Sequence, residues 1–173
     1  VEFIIPGFRV DSVEVNKKWD TIVYRLSTSS FTDGYLDIHV NVYDVADNVN
    51  STTLRYIVDN TPPSLRILNP TNNSYIPTDT VTITWEGYDA NGISYYNISL
   101  DGSPWEKLSA DNTSVTYKAL SVGKHVFRII AVDVAGLTTE VCLVFYVDLS
   151  APNVTIVSPL NGSFFNVSEI NIT

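Results

Sequence analysis

The sequence predicts an all-β protein assembled from tandem β-sandwich modules. Three observations carry this. Residues 58–67 return in altered form at 147–156, and the same offset of 89 residues aligns 33–84 with 122–173. Apolar and polar residues alternate with period two in several short stretches. Turn residues, chiefly Gly, Pro, Asn and Asp, separate those stretches. A repeat of 89 residues is close to the size of a two-sheet β-sandwich.

The register is free of insertions. Gly34 matches Gly123, Asp44-Val45-Ala46 matches Asp133-Val134-Ala135, Pro70 matches Pro159, and Asn72 matches Asn161. It divides the chain into 1–58, a module lacking its first strands, then 59–147, a complete module, then 148–173, the first two strands of a third. Val1 corresponds to Ala90 and Thr173 to Thr84, so 148–173 has a second reading, as a segment donated to the open sheet of a neighbouring subunit. Residues 8–19 do not align with the second repeat.

Within 59–147, strands are expected at 64–69, 80–86, 93–101, 112–118, 124–133 and 138–147, with 104–108 as an extra edge piece. Val81, Ile83 and Trp85 share one face, as do Tyr96, Ile98 and Leu100. Phe127, Ile129 and Ala131 form a third set, matching Ile38, Val40 and Val42. Val141, Leu143, Phe145 and Val147 form a fourth, matching Thr52, Leu54, Tyr56 and Val58. Trp85 belongs to the core by this alternation, whereas Trp105 and Tyr95 are candidates for an outer aromatic strip. Each last strand ends in Val-Asp and meets proline within a few residues, which fixes φ and stiffens the joint between modules.

Composition narrows the functional classes. Hydrophobic residues make up 45% of the 173, enough to build a core. The net charge is -9, from 19 acids against 10 Lys and Arg, with no basic stripe to neutralise phosphates, so nucleic acid is not an expected partner. No run of 18 apolar residues is present to cross a membrane as a helix. Residues 1–6 have no basic leader, so a signal for export would lie upstream. Cys142 is the single cysteine, read as a small apolar strand residue. His39 and His125 are read as surface or edge positions, and neither has a metal-spaced partner. There is no phosphate loop and no nucleophile elbow, and the chain is not expected to be an enzyme.

Eight asparagines stand in Asn-x-Ser/Thr: Asn50, Asn72, Asn97, Asn112, Asn153, Asn161, Asn166 and Asn171. Ser and Thr together are about a fifth of the chain, too few to give this density by chance. The excess points to N-linked glycans on an exported protein. Asn97 lies between Tyr96 and Ile98, and Asn171 between Ile170 and Ile172, so both are expected to face outward. No organic cofactor is implied. Calcium is the one candidate ion, with Asp44, Asp47 and Asp59 as ligands beside Asn48 and Asn60 near the module junction; in the second repeat only Asp133 and Asp148 remain. The alternative is that these residues simply make turns.

The turn Asp133-Val134-Ala135-Gly136, its counterpart Asp44-Val45-Ala46-Asp47-Asn48, and the junction Val58-Asp59-Asn60-Thr61-Pro62-Pro63 resemble the Ig-like repeats of large bacterial and archaeal surface proteins. The resemblance implies tandem immunoglobulin-like β-sandwich modules on the cell surface. It leaves function open, because that family serves adhesins, surface layers and enzyme appendages alike. Three classes therefore compete. The first is a structural component of a surface layer, stalk or filament whose partners are copies of itself or neighbouring modules. The second is an adhesion or carbohydrate-binding module. The third is a spacer of a secreted enzyme. Sequon density and stiff joints favour the first, in an archaeal setting.

Overall fold

The computed structural model describes residues 1–5, 23, 25–169 and 172. Eleven strands are present among them, and no helix. They are β1 (Glu2–Ile4), β2 (Gly34–Tyr43), β3 (Val49–Val58), β4 (Ser64–Asn69), β5 (Ser74–Ile76), β6 (Val81–Tyr88), β7 (Ile93–Leu100), β8 (Glu106–Ser109), β9 (Ser114–Tyr117), β10 (Gly123–Asp133) and β11 (Thr138–Val147). The protein is all-β, as the alternation predicts.

Strands β4 to β11 form two sheets, one ordered β4-β6-β9 and the other β5-β11-β10-β7-β8. The inward faces of both meet in one core. Strand β6 contributes Val81, Ile83 and Trp85, and β7 contributes Tyr96 and Ile98. Phe127, Ile129 and Ala131 come from β10, and Leu143, Phe145 and Val147 from β11. Phe127, Ile129 and Phe145 are fully buried, each contributing roughly 1.5–3 kcal/mol by leaving water. The Trp85 ring meets Tyr96 edge-on at 5.7 Å and tilts onto Phe127 at 6.3 Å. Period two thus sorts these strands correctly.

Strand β5 has no counterpart among the expected strands. It is only three residues long and switches sheets, pairing in parallel with β11 through Ser74–Phe145 to Ile76–Val147. The crossing is held by hydrogen bonds: Asn73 N donates to the Val144 carbonyl at 2.7 Å, and Val144 N donates to Asn72 Oδ1 at 2.9 Å. A three-residue strand leaves no periodicity to read. The 104–108 edge piece is β8, shifted to 106–109, and it pairs with β7.

Strands β1, β2 and β3 form a separate sheet in that order. Among the described residues its core holds Ile5, Leu36 and Val58, with Leu26, Phe31 and Ile38 against them. Leu54 and Tyr56, the repeat counterparts of buried Leu143 and Phe145, are 44% and 52% exposed. Among the described residues no second sheet covers them. In 148–169 no strand is formed, and Val154, Ile156, Leu160 and Phe164 are exposed.

Candidate functional site at the linker

Between β3 and β4 the chain runs Asp59-Asn60-Thr61-Pro62-Pro63, and both ends of this linker are fastened. On one side Asn60 N donates to Asp33 Oδ1 at 2.7 Å, and the Thr61 hydroxyl donates to Asp33 Oδ2. Asn60 Nδ2 donates to the carbonyls of Thr28 and Phe31 at 3.0 and 3.1 Å. The Thr61 and Asn60 hydrogen bonds hold the Asp33 carboxyl below its usual range, against a smaller opposing effect of burial. On the other side, Thr139 Oγ1 of β11 donates to the Pro63 carbonyl at 2.5 Å.

Three carboxylates converge here. Asp59 comes from the linker, Asp89 from the turn after β6, and Asp133 from the end of β10; one ligand oxygen of each lies within 4.8 Å of the others. Each aspartate also secures its own turn through Oδ1. Asp59 accepts from Thr61 N at 3.3 Å, Asp89 from Asn91 N at 2.8 Å and Gly92 N at 3.2 Å, and Asp133 from Leu137 N at 2.8 Å. Gly92 has φ of 101° and Gly136 has φ of 89°, left-handed geometry that closes both turns at little cost for glycine. The second oxygens of Asp59 and Asp133 are buried and have no hydrogen-bond partner. A cavity of about 220 Å³ is lined by two of the three aspartates, Asp59 and Asp89, together with Asp33, Thr61 and Tyr88 among others. The donor set is all oxygen, which suits a hard cation.

The calcium candidates read from the sequence overlap this cluster only in part. Asp59 belongs to the cluster, but Asp44 does not. Its Oδ1 caps Ala46 N and Asn48 N, and its Oδ2 accepts from Asn48 Nδ2 at 2.9 Å. Asp47 is exposed at the tip of that turn with φ of 64°. The sequence reading missed Asp89. Its repeat counterparts fall outside positions 1–173, so the offset of 89 could not single it out; the Asp-x-Asn-Gly turn was the available signal.

Of the sequon asparagines, Asn50, Asn72, Asn112, Asn153, Asn161 and Asn166 are exposed, and Asn97 is half-buried. Asn97 lies on the outer face of β7, between Ile130 of β10 and Lys107 of β8. Asn171 lies outside the described residues. Cys142 is exposed on β11.

His125 corrects an expectation. It is 4% exposed, not a surface residue. Its Nδ1 lies 2.7 Å from Asp101 Oδ2, its Nε2 lies 2.8 Å from the Ser121 carbonyl, and its ring stacks on Phe145 at 5.4 Å. Position 125 continues the inward set Phe127, Ile129 and Ala131, and the two acceptors satisfy the ring that this alternation buries. Desolvation pulls its pKa down, but the Ser121 and Asp101 hydrogen bonds and the Asp101 charge outweigh it and raise the value above 6.5. Tyr95 and Trp105 do reach the outer face, each covered by a cation: Lys107 Nζ stands 3.7 Å from the Tyr95 centroid, and Arg128 5.1 Å from that of Trp105.

The family comparison agrees with the fold of residues 63–129. Residues 63–129 match the family model described as a bacterial Ig domain. Among solved structures, fibronectin(III)-like modules of Clostridium thermocellum CbhA align with TM-score 0.45 and 13% identity, over 51% of this chain and all of that one. An engineered protein aligns with TM-score 0.40 and 15% identity, over 50% of this chain and 20% of its own. No curated protein matches the sequence significantly. Residues 63–129 are thus similar to a bacterial Ig domain, and the two-sheet sandwich of β4 to β11 has an Ig-like fold.

Proposed function

We propose that the chain is a structural, non-catalytic segment of an extracellular surface assembly, of the surface-layer, stalk or filament kind. Its modules are 1–58, 59–147 and 148–173, repeating every 89 residues, and they carry N-linked glycans. The observation that carries this reading is the doubling of one hairpin and its exit. Strand pair β2–β3 runs from Gly34–Val58 to Tyr43–Val49, and β10–β11 from Gly123–Val147 to Val132–Thr138, so both have the same register 89 residues apart. Each then leaves through an aspartate whose Oδ1 accepts from the amide two residues on, Asp59 from Thr61 and Asp148 from Ser150. Units joined by short, hydrogen-bonded, proline-containing linkers transmit force and position better than flexible tethers do.

Exposure of six sequon asparagines supports glycan attachment. At Asn72 the side-chain oxygen accepts from Val144 N while the amide nitrogen, the atom that would carry sugar, makes none of the described hydrogen bonds. The exposed apolar residues of 148–169 fit a third module that continues the array, or strand donation to a neighbouring copy. The test is intact mass of protein from the envelope of source cells, before and after chemical removal of sugars, with peptides mapped to each sequon. Envelope location and a mass loss that maps to exposed sequons are expected. Cytoplasmic location with all eight asparagines unmodified would contradict the reading.

A further inference from the structure

We propose that Asp59, Asp89 and Asp133 form a calcium site that locks the linker to two turns of the Ig-like module. The first argument is electrostatic. Three carboxylates meet within 4.8 Å, and none takes part in the ion pairs of the described residues, which join Arg55 to Asp37, Arg66 to Glu86, His125 to Asp101 and Arg128 to Glu140. Burying like charges without a counter-charge is costly. The second is the unpartnered oxygen. Asp133 is 1% exposed, and its Oδ2 has no hydrogen-bond partner, as is also true of Asp59 Oδ2. A buried carboxylate oxygen with no donor nearby calls for a ligand.

The geometry suits calcium. Oxygens placed 2.3–2.6 Å from a calcium ion stand at most about 5 Å apart, and these three already lie within 4.8 Å of one another. Calcium takes six to eight oxygens, and the neighbouring cavity of about 220 Å³ has room for water to complete the shell. Magnesium needs a tighter octahedron and gives up its water reluctantly, and zinc favours nitrogen and sulfur. The three turns are already fixed through the Oδ1 atoms, so little ordering remains to be done on binding. The bound ion would cross-link the linker to the β6–β7 and β10–β11 turns, making the angle of the joint depend on calcium.

The test is isothermal titration of CaCl2 into the chelator-treated 173-residue chain, with thermal unfolding in EDTA, in CaCl2 and in MgCl2. Expected are one binding event and a rise in Tm of at least about 5 °C in millimolar calcium, with a smaller rise in magnesium. Asp133→Asn keeps an Oδ1 acceptor for Leu137 N while removing the charge. It should weaken calcium at least tenfold and abolish the Tm response while still melting cooperatively in EDTA. Asp44→Asn, at the repeat-equivalent position, should leave the calcium response intact. Absence of binding heat and of a Tm shift at 10 mM CaCl2 would overturn the proposal, as would an Asp133→Asn response equal to that of the parent.

Discussion

The hairpins β2–β3 and β10–β11 have the same length, register and turn, yet different fates. Asp44 N bonds to the Asn48 carbonyl in one and Asp133 N to the Leu137 carbonyl in the other, at 3.0 and 3.1 Å. Asp44 and Asp133 each cap the turn through Oδ1, and the left-handed position falls at Asp47 in the first and Gly136 in the second. Burial separates them. Phe127, Ile129 and Ala131 are fully buried, while their counterparts Ile38 and Val40 are half-buried and Val42 is 48% exposed. Local sequence builds the hairpin, and an opposing sheet decides whether it becomes core. The same difference reaches the aspartates: Asp44 is exposed and spends Oδ2 on Asn48, whereas Asp133 is buried with Oδ2 unsatisfied.

The largest test of this contrast is core truncation. Phe127→Ala should cost about 3–5 kcal/mol, while Ile38→Ala at the matching position should cost well under half of that, as read by urea unfolding. Gly87→Ala comes next. A Cβ there would stand 2.5 Å from the hydroxyl of buried Tyr96, and the overpacking should cost about 1–3 kcal/mol with the Trp85–Tyr96 contact displaced. The turn substitutions are smaller and opposite in sign. Gly136→Ala should destabilise by about 1 kcal/mol and Asp47→Gly should stabilise by a similar or lesser amount, because each position requires positive φ. Smallest is the pH effect of His125. Its pKa is raised on folding, so its stabilising contribution is complete below pH 6.5 and is lost as pH rises through the folded-state value. The stability difference between parent and His125→Asn should narrow as pH rises above 6.5.

Much of this was legible in the sequence. Period two and the turn residues located six strands of the sandwich, put Trp85 inside, and set Phe127 and Phe145 each on a shared face that proved to be buried. The offset of 89 aligned the two hairpins residue for residue. Strand β5 was not legible, because three residues that change sheets carry no pattern. The exposure of Leu54 and Tyr56 was not legible, because alternation tells which residues share a face but not whether anything packs on it. The inward turn of His125 could have been read from its spacing to Phe127, but polarity argued against it; the partners that make burial tolerable, Asp101 and Ser121, are set by the tertiary fold. At the linker, Asp59 could be read from the junction motif. Its meeting with Asp89 and Asp133 depends on loops brought together only when the sheets pack.

Native-state amide hydrogen exchange across the two hairpins tests the central contrast most directly. The account predicts that β10 and β11 amides from Phe127 to Ala131 and their partners exchange only through global unfolding, and that the matching amides of β2 and β3 exchange orders of magnitude faster. Equal protection in the two hairpins would mean that β2–β3 is as fully packed as its counterpart, and would contradict the account.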